Sequence, residues 1–458
     1  MPLASLVHWL SSTPASSTLS TLAFWGSLAA LVVGLRAWSK GYVCRVDRGL
    51  AGKTFLLTGG FSGVGLAVFQ HLAAAGAQVI VLTPDPASPS TIQLLLLLRS
   101  STSNERLYAE ECDLSSPGSI KRFVEGWKKD AREGMVKDLE ARIDGIVFCD
   151  EGGKTGSRDK ARRLLTGRHI IVQLLMPVLL RSAATSTSPI RIVNTLDSAF
   201  YAAVTPNTFH PVSLVTEQTV EQVSAAGKGR QLSSSVVQDG QVALASVLLW
   251  REFQARISSN PEPNSFTGPP ATSDARVPIA SPILALSVSP GLLRSSLRSL
   301  FPFALRPPPH SRLPARLYTL LILAISLLTY PLVWIFGKSA DEGAQVVLGA
   351  IMCDMERVGS SERVVKGPDG EKVGTEGLEG GKGVKKMRVR GGALYREGRE
   401  VPLPLLDNLP TSTRGEFWGA ECKELEYLVA HAQQEARSEA SKTSKAATGD
   451  GRGKEKAT

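Results

Sequence analysis

The sequence contains few of the residues that build disulfide frameworks or metal sites. It has five cysteines in 458 residues, and none of them are paired at a metal-binding spacing. An odd number of scattered thiols is typical of a protein in a reducing, cytosol-facing compartment and disfavours a disulfide-stabilised secreted domain. We therefore expect no metal site.

A stripe of basic residues interleaved with aromatic residues, which would indicate a nucleic-acid-binding surface, is also missing. The net charge is +10, but the basic residues are scattered through loops, the region beyond Gly359 and the C-terminal tail. This pattern predicts no nucleic-acid partner and favours contact with a negatively charged membrane surface.

The sequence does contain a regular alternation of predicted strands and helices. This alternation predicts an α/β fold with a doubly wound parallel sheet of the Rossmann type. The predicted strands are Thr54–Leu57, Val79–Leu82, Glu105–Asp113, Ile143–Cys149, Ile190–Thr195 and Ile283–Val288, with a further candidate at Met387–Tyr395. The predicted helices beyond residue 100 are Ser116–Glu133, Lys160–Leu180, Val237–Ile257, Ser339–Met355 and Phe417–Arg437.

The first predicted strand runs into a glycine-rich turn with the sequence Thr58-Gly59-Gly60-Phe61-Ser62-Gly63-Val64-Gly65. Gly59 permits a tight turn after the strand, because glycine adopts positive φ without a steric clash. Gly63 and Gly65 let a pyrophosphate approach the backbone and let the following helix pack on the strand. The strand before the turn, and the helix and strand after it, favour a dinucleotide site over a turn without a ligand.

Two long uncharged segments predict contact with a membrane. Residues 9–35 carry no charge and precede the basic residues Arg36, Lys40, Arg45 and Arg48. Their length matches a membrane span, and the basic flank predicts that the main domain faces the cytosol. A cleaved signal peptide is the alternative, disfavoured because the basic residues follow the apolar run.

The second uncharged segment, residues 317–337, is also long enough to cross a bilayer. However, the sequence on both sides of it belongs to the predicted α/β domain, so both of its ends must lie on one face of the membrane. We therefore expect an embedded helix or hairpin, broken at Pro331, with Tyr330 and Trp334 at the interface. A buried helix of a large core is the alternative.

These features divide the chain into four parts. Residues 1–48 form an apolar membrane anchor with a basic flank, and residues 49–358 form the Rossmann-type domain, which includes the membrane-associated segment 317–337. Residues 359–437 form an extension rich in glycine and basic residues that ends in a helix. Residues 438–458 have the composition of a disordered tail.

Taken together, these residues resemble the short-chain dehydrogenase/reductase superfamily, and within it the retinol-dehydrogenase-like group, over about residues 50–355. The C-terminal part, from Gly391 onwards, is similar to fungal lipid-droplet members of this group. Besides the glycine-rich turn, the resemblance rests on Asp113-Leu114, Arg191–Asn194, Val288–Gly291 and Lys338–Gln345.

The resemblance implies that NADP or NAD binds at the carboxyl ends of the strands, with Asp113 at the adenine and Gly291 at the nicotinamide. At the end of the second strand the family has a carboxylate for NAD or a nearby arginine for NADP. This chain has Thr83 there, so the choice of coenzyme stays open. The implied cofactor-binding residues are Thr58, Gly59, Phe61, Ser62, Gly63, Val64, Gly65, Asp113, Leu114, Pro290 and Gly291.

The catalytic residues of the family are missing from the corresponding positions. The family has a tyrosine as general acid/base, a lysine four residues later, an orienting serine and an asparagine, and these positions hold Val237, Gln241, Asp197 and Leu164. Valine has no proton to donate, and glutamine has no charge to stabilise a phenolate. The conceivable substitutes are Ser198, which stands one residue late on the fifth strand, Tyr201, His210 and Asp239.

These observations support two functional hypotheses. The first is an NAD(P)-dependent oxidoreductase that acts on a lipophilic alcohol or ketone at the endoplasmic reticulum membrane or a lipid droplet. The second is a catalytically impaired relative that binds a dinucleotide or a lipid and serves there as a sensor or scaffold. A purely structural lipid-droplet coat protein is a third idea, for which the glycine-rich turn would be surplus.

Overall fold

The structure is a computed structural model. It describes residues 16–46, 48–133, 142–149, 158–186, 188–196, 198–204, 209, 211–212, 235–259, 283–295, 330–353 and 389–450. The chain divides into two compact units. One contains Met1–Val43 and Leu292–Gly343, and the other contains Cys44–Gly291 and Ala344–Thr458.

The described residues of the second unit form an eight-stranded sheet with the order β3-β2-β1-β4-β5-β6-β7-β8. Neighbouring strands are parallel except β7 and β8, which are antiparallel. This architecture confirms the doubly wound parallel sheet that the sequence predicts. The strands are β1 Thr54–Thr58, β2 Gln78–Thr83, β3 Leu107–Glu111, β4 Gly145–Phe148, β5 Ile190–Thr195, β6 Ile283–Ser289, β7 Leu394–Arg396 and β8 Arg399–Glu400.

Helices connect the parallel strands and cover the sheet. Trp250, on the helix between β5 and β6, is buried and stacks on Phe148 of β4 with 5.8 Å between the ring centroids. The helices are α1 Ser16–Ser39, α2 Gly63–Ala74, α3 Pro89–Thr102, α4 Pro117–Glu133, α5 Arg158–Thr185, α6 Ser235–Ser259, α7 Ala340–Met352, α8 Pro404–Asp407 and α9 Thr411–Asp450, with a 3₁₀ helix at Ser198–Ala203.

The centre of the sheet is the place where the chain changes direction. β1 pairs with β2 on one side and with β4 on the other, with Phe55 opposite Val79 and Gly145. The chain first builds outwards to β3 and then crosses back to build β4 to β7. In open α/β sheets this switch point leaves a crevice beyond the carboxyl ends of the strands, where ligands bind.

One helix among the described residues, Arg162–Thr185 within α5, is long and apolar enough to span a membrane. Of its most apolar window, 61% is buried inside the protein. Ile171, Leu175 and Leu179 of this helix lie in the core cluster together with Ile146 of β4. The apolar residues of this helix therefore pack in the core beside the sheet.

Several elements differ from the sequence-based expectation. The sequence does not predict α3, although Ser88 caps it by accepting a hydrogen bond from the Thr91 N–H at 3.3 Å. α9 continues past Arg437 to Asp450, into the segment predicted to be disordered. Of the apolar segment 317–337, residues 330–336 are helical, whereas residues 317–329 lie outside the described residues.

The C-terminal helix α9 buries two titratable groups against α5. His169 of α5 lies 5.1 Å from the ring of Trp418, and burial lowers the pKa of His169 to about 4. Glu421, one turn beyond Trp418, is almost fully buried. Burial raises the pKa of Glu421 to about 7, an effect that the charge of Arg162 only partly offsets. The interface between these helices therefore holds a neutral imidazole and a carboxyl group that ionises near neutral pH.

We expect Glu421→Gln to stabilise the protein at about pH 8 and to change its stability little at about pH 5. The folded-state pKa lies above the ordinary value of 4.5, so the wild type loses stability as the pH rises from 4.5 to about 7. The loss then levels off at roughly 3 kcal/mol. Thermal unfolding at both pH values measures the difference between the two proteins.

The matched control is Glu424→Gln, one turn away on α9, whose carboxylate is 2.9 Å from a guanidinium nitrogen of Arg162. Since that carboxylate is paired and less buried, the control should not become more stable at the higher pH. An equal gain for Glu421→Gln at both pH values would contradict the titration account.

Candidate functional site

The glycine-rich turn joins β1 to α2 at the carboxyl edge of the sheet. Gly59, directly after β1, has a φ of 65°, and Gly63, at the start of α2, has a φ of 49°. Both values lie in the left-handed region that favours glycine. The Ser62 N–H closes the turn by donating to the Gly59 carbonyl at 3.3 Å. The conformation of Gly59 is the one that the sequence predicts.

Gly65 allows α2 to begin directly against the ends of the central strands. A Cβ at Gly65 would lie 2.1 Å from the carbonyl oxygen of Gly59 and 3.1 Å from the Cβ of Cys149, which follows β4. The nearer distance is far below van der Waals contact, and its partner is a backbone atom that cannot rotate away. Only glycine therefore fits at this position.

The first turn of α2 presents open backbone donors to the edge of the sheet. Ser62 precedes the helix in an extended conformation, and its side chain makes no capping hydrogen bond. Within the described part of the chain, no acceptor is bound to the N–H groups of Gly63, Val64 and Gly65. The first turn also contains no acidic residue. A helix start with open donors and no competing carboxylate is suited to bind an anion.

Two hydrophobic residues of the turn anchor it to α2. Val64 is buried, and the ring of Phe61 packs edge-on against Phe69 with 6.0 Å between the centroids. At the other end, Thr58 is buried, and its carbonyl accepts a hydrogen bond from the Cys149 N–H at 3.2 Å. The donors of α2 are thus held in place before any ligand binds.

Asp113, beyond the end of β3, shapes the entry into α4. Its carboxylate accepts hydrogen bonds from the N–H and the hydroxyl of Ser115, at 2.8 and 2.7 Å. Its own N–H donates to the hydroxyl of Ser119 at 3.1 Å. Leu114 is buried beside it. These contacts give Asp113 a local structural role, and its contact with an adenine stays a prediction.

Pro290 and Gly291 lie on the same edge, directly after β6. Both residues are buried, and Gly291 has a φ of 91°. The Leu196 N–H donates to the Val288 carbonyl at 2.8 Å, and the Thr195 hydroxyl donates to the Phe148 carbonyl at 2.7 Å. These bonds tie together the ends of β4, β5 and β6. The topology therefore brings the predicted cofactor-binding residues to one edge of one sheet.

The residues predicted to occupy the family's catalytic positions carry no acid or base where the structure describes them. Val237 and Gln241 lie one turn apart on α6, which contains neither tyrosine nor lysine. Leu164 of α5 packs against the core. Ser198 is buried in the 3₁₀ helix, whereas Asp197 and His210 lie outside the described residues.

A buried polar network below this edge was not predicted from the sequence. The guanidinium of Arg168, on α5, donates to the side-chain oxygen of Asn194 at 2.6 Å. The Asn194 amide in turn donates to the hydroxyl of Ser246 on α6 at 2.7 Å. All three residues are buried, and the guanidinium lies 5.8 Å from the ring centre of Phe148. The one available signal was a basic residue within the apolar face of the predicted helix Lys160–Leu180.

Tyr201, one of the conceivable substitutes, lies on the 3₁₀ helix that follows β5. Its hydroxyl accepts a hydrogen bond from the guanidinium of Arg396 at 2.7 Å, and that guanidinium also lies 5.1 Å from its ring centre. Arg396 stands opposite Ser289 in the sheet register. This pair therefore neighbours the turn at Pro290 and Gly291. Asp239, another conceivable substitute, is half-buried on α6.

Comparisons with known proteins add an independent line of observation. Residues 53–139 match the model of the KR domain. The chain is 33% identical over 144 residues to the uncharacterized oxidoreductase pbr1 of Schizosaccharomyces pombe, covering 31% of this chain and 34% of that protein. It is 27% identical over 349 residues to the uncharacterized oxidoreductase YNL181W of Saccharomyces cerevisiae, covering 72% and 75%. It is also 28% identical over 177 residues to retinol dehydrogenase 12 of Bos taurus, covering 37% and 51%.

The sheet and its glycine-rich edge define a class, the doubly wound α/β proteins with an anion-accepting turn at the switch point. Within that class the chain is similar to the short-chain dehydrogenases/reductases, to which the KR domain belongs. This confirms the resemblance that the sequence predicts. The match covers 34% of pbr1 and 51% of retinol dehydrogenase 12, so the activities of those whole proteins bear on this chain as proposals only.

We expect Gly65→Ala to destabilise the protein by at least about 2 kcal/mol, because the added methyl group overlaps the Gly59 backbone and forces the start of α2 away from β1. The control is Gly126→Ala on α4, where a Cβ would meet nothing within 4 Å. That exchange should be neutral or stabilising, because alanine favours helix more than glycine. Urea unfolding of both variants measures the difference, and equal stability would contradict the close approach at Gly65.

Proposed function

We propose that the protein is a dinucleotide-dependent oxidoreductase of the short-chain dehydrogenase/reductase type that acts on a lipophilic alcohol or carbonyl compound at a membrane. The observation that carries this proposal is the start of α2. There a turn built on Gly59 and Gly63 exposes open N–H donors, and no acidic side chain competes for them. This set of donors fits the pyrophosphate of NADP or NAD.

The other residues of the same edge have roles that follow from their place. A bound nicotinamide would supply or accept the hydride. Pro290 and Gly291, fixed by their buried backbone after β6, would line the face on which the ring lies. Val64 and Phe61 would hold the turn rigid, so that the donors need no rearrangement on binding.

The choice between the two coenzymes depends on the end of β2. Thr83 is half-buried there, and the nearest carboxylate in sequence, Asp85, is exposed two residues further on. Neither residue provides the close carboxylate that would select a free ribose hydroxyl. We therefore propose NADP and NAD as the two candidate coenzymes, and binding of both is to be measured.

A lipophilic substrate and a membrane location are supported by two observations. The first is the name of a relative, retinol dehydrogenase 12, which refers to a lipophilic alcohol. The second is the apolar helix α1, which precedes a cluster of basic residues. A helix of this composition with a basic flank favours a cytosolic position for the following domain, and we propose the endoplasmic reticulum or a lipid droplet as the membrane.

A second candidate function is binding of a dinucleotide or lipid without efficient turnover. The observation that favours it is the pair Val237 and Gln241, half-buried on α6 where the family has its acid/base tyrosine and its lysine. Loss of positioned proton transfer slows a reaction by about 100- to 10,000-fold. Such a protein would be a sensor or scaffold at the membrane.

Coenzyme binding is the direct test of the proposal. We expect NADPH or NADH to bind the purified chain, as measured by the enhanced fluorescence of the reduced nicotinamide. Gly63→Val should weaken this binding at least about tenfold, because a β-branched residue does not adopt a φ of 49° and closes the cradle. Gly126→Val on α4, where a Cβ meets open space, is the control. If the wild type ignores both coenzymes at about millimolar concentration, the proposal fails.

A gain-of-function exchange separates the two candidate functions. If proton transfer limits the wild type, then Val237→Tyr/Gln241→Lys should raise turnover of a lipophilic aldehyde such as retinal by about 100-fold or more. Each single exchange should raise it far less, because the phenol and the ammonium act together. Efficient turnover by the wild type, unchanged or lowered in the double variant, would show that another group donates the proton.

A further inference from the structure

The helix α1 exposes apolar side chains around its whole circumference. Phe24, Trp25 and Leu31 are 62%, 64% and 59% exposed, and Val33 is 65% exposed. Successive residues of a helix are turned by about 100°, so Trp25 and Val33 point away from the face that Phe24 and Leu31 share. Among its described side chains only Arg36 is buried, and Val32, Leu35 and Ser39 are partly covered. A helix that is apolar all round requires an apolar environment.

The helical residues 330–336 of the same unit carry a second set of exposed apolar side chains. Tyr330, Leu332 and Phe336 are 55%, 56% and 47% exposed, and Trp334 is partly exposed as well. This short segment therefore shares the surface character of α1. Both sets lie in the compact unit that contains Met1–Val43 and Leu292–Gly343.

A partly buried ion pair joins the carboxyl end of α1 to Glu342 of α7, a few residues beyond the second element. The guanidinium of Arg36 contacts both carboxylate oxygens of Glu342, at 2.5 and 2.7 Å. It also lies 5.7 Å from the ring centre of Trp334. The Ser39 hydroxyl donates to the Ile335 carbonyl at 2.6 Å. We refer to the Arg36–Glu342 ion pair and the Ser39–Ile335 hydrogen bond as the clamp.

The local backbone holds the carboxylate side of the clamp in place. Glu342 accepts a hydrogen bond from the Ser339 N–H at 2.9 Å, and the Ser339 hydroxyl accepts one from the Glu342 N–H at 3.2 Å. This is a capping box at the start of α7. Partial burial raises the pKa of Glu342, but the hydrogen bond and charge of Arg36 outweigh it, so the pKa is lowered overall. The ion pair is therefore formed at neutral pH.

Leu293 and Arg294, which precede residues 296–329 in the sequence, pair with residues that directly follow the second element. Leu293 forms a parallel bridge with Lys338, and the Arg294 N–H donates to the Lys338 carbonyl at 3.0 Å. The Arg294 side chain also donates to the Gly337 carbonyl at 3.1 Å. Arg294 and Lys338 are thus neighbours, and they must lie on the same side of any membrane that this unit meets.

We propose that α1 and residues 330–336 form one bilayer-docking surface, which the clamp holds together at the lipid–water boundary. The partner is a phospholipid bilayer. α1 has 24 residues and is about 36 Å long, sufficient for a hydrocarbon core of about 30 Å. Arg36 and Lys40 at its end, together with Trp38 and Trp334, are residue types of the bilayer interface. This inference rests on the membrane association proposed above and is independent of coenzyme binding.

The experiment uses a fluorescent probe attached to single cysteines of the full chain. The background carries Cys44→Ser and Cys422→Ser, because these two thiols are partly accessible. Leu332→Cys reports on the second element, and Leu31→Cys reports on α1. The chain is reconstituted into phosphatidylcholine vesicles with brominated acyl chains. Neutral lipid removes any general attraction of basic residues. Both probes should be quenched in the wild-type background.

The clamp is then broken by charge reversal. Arg36→Glu should abolish quenching at position 332 and leave quenching at position 31 unchanged. Arg36→Glu/Glu342→Arg should restore quenching at position 332, which excludes misfolding as the cause of the loss. Lys40→Glu, an equal change of charge at an exposed residue directly after α1, should leave both probes quenched.

Three results would overturn the inference. One is a probe at position 332 that is never quenched although position 31 is. Another is an Arg36→Glu variant that keeps its quenching at both positions. The third is the absence of quenching at both positions in bilayers. That result would hold against the inference whether the chain self-associates or binds only triacylglycerol droplets. NADPH fluorescence on the same samples reports on the coenzyme site separately, so failure of the proposed redox function would not be mistaken for failure of the clamp.

Discussion

The contact between the backbone of Gly59 and the start of α2 is the constraint on which the candidate site depends. Because Gly65 has no Cβ, α2 begins close to the ends of β1 and β4, at the point where the chain reverses its direction across the sheet. A helix set back by one side chain would aim its N–H groups elsewhere. The same approach fixes the position of the donors and leaves them open. The missing Cβ of Gly65 therefore accounts both for the packing of α2 at this edge and for its open N–H donors.

Beyond the turn, the chain keeps the doubly wound scaffold, and the residues predicted for the family's catalytic positions are not tyrosine, lysine or asparagine. Leu164, Val237 and Gln241 are apolar or neutral, while the Arg168–Asn194–Ser246 network places a positive charge under the ends of β4 and β5. Tyr201 and Arg396 lie at the edge near β6 and β7. The acid/base chemistry proposed for this chain then requires groups other than Leu164, Val237 and Gln241.

The two compact units have contrasting surfaces. The second unit buries its large apolar side chains in the sheet core, as Trp250 and Phe148 do. The first unit exposes most of the described apolar side chains of α1 and buries Arg36, whose guanidinium pairs with Glu342. Water does not stabilise such a surface, whereas lipid does. This contrast is the physical basis of the proposed membrane location.

Local features of the sequence determine much of the fold. Apolar runs and the spacing of glycines predict the doubly wound sheet, six of the sheet's parallel strands and the turn after β1, because these features follow from local periodicity and backbone freedom. The sequence does not reveal α3, whose leucines lack a clear one-sided pattern, or the length of α9. The sequence does not predict contacts between residues that are distant along the chain. Arg36 meets Glu342 across 306 residues, Arg168 meets Asn194, and Glu421 of α9 is buried against α5. Only the tertiary structure decides such pairs, because the cost of burying a charge depends on which neighbours the fold brings to it.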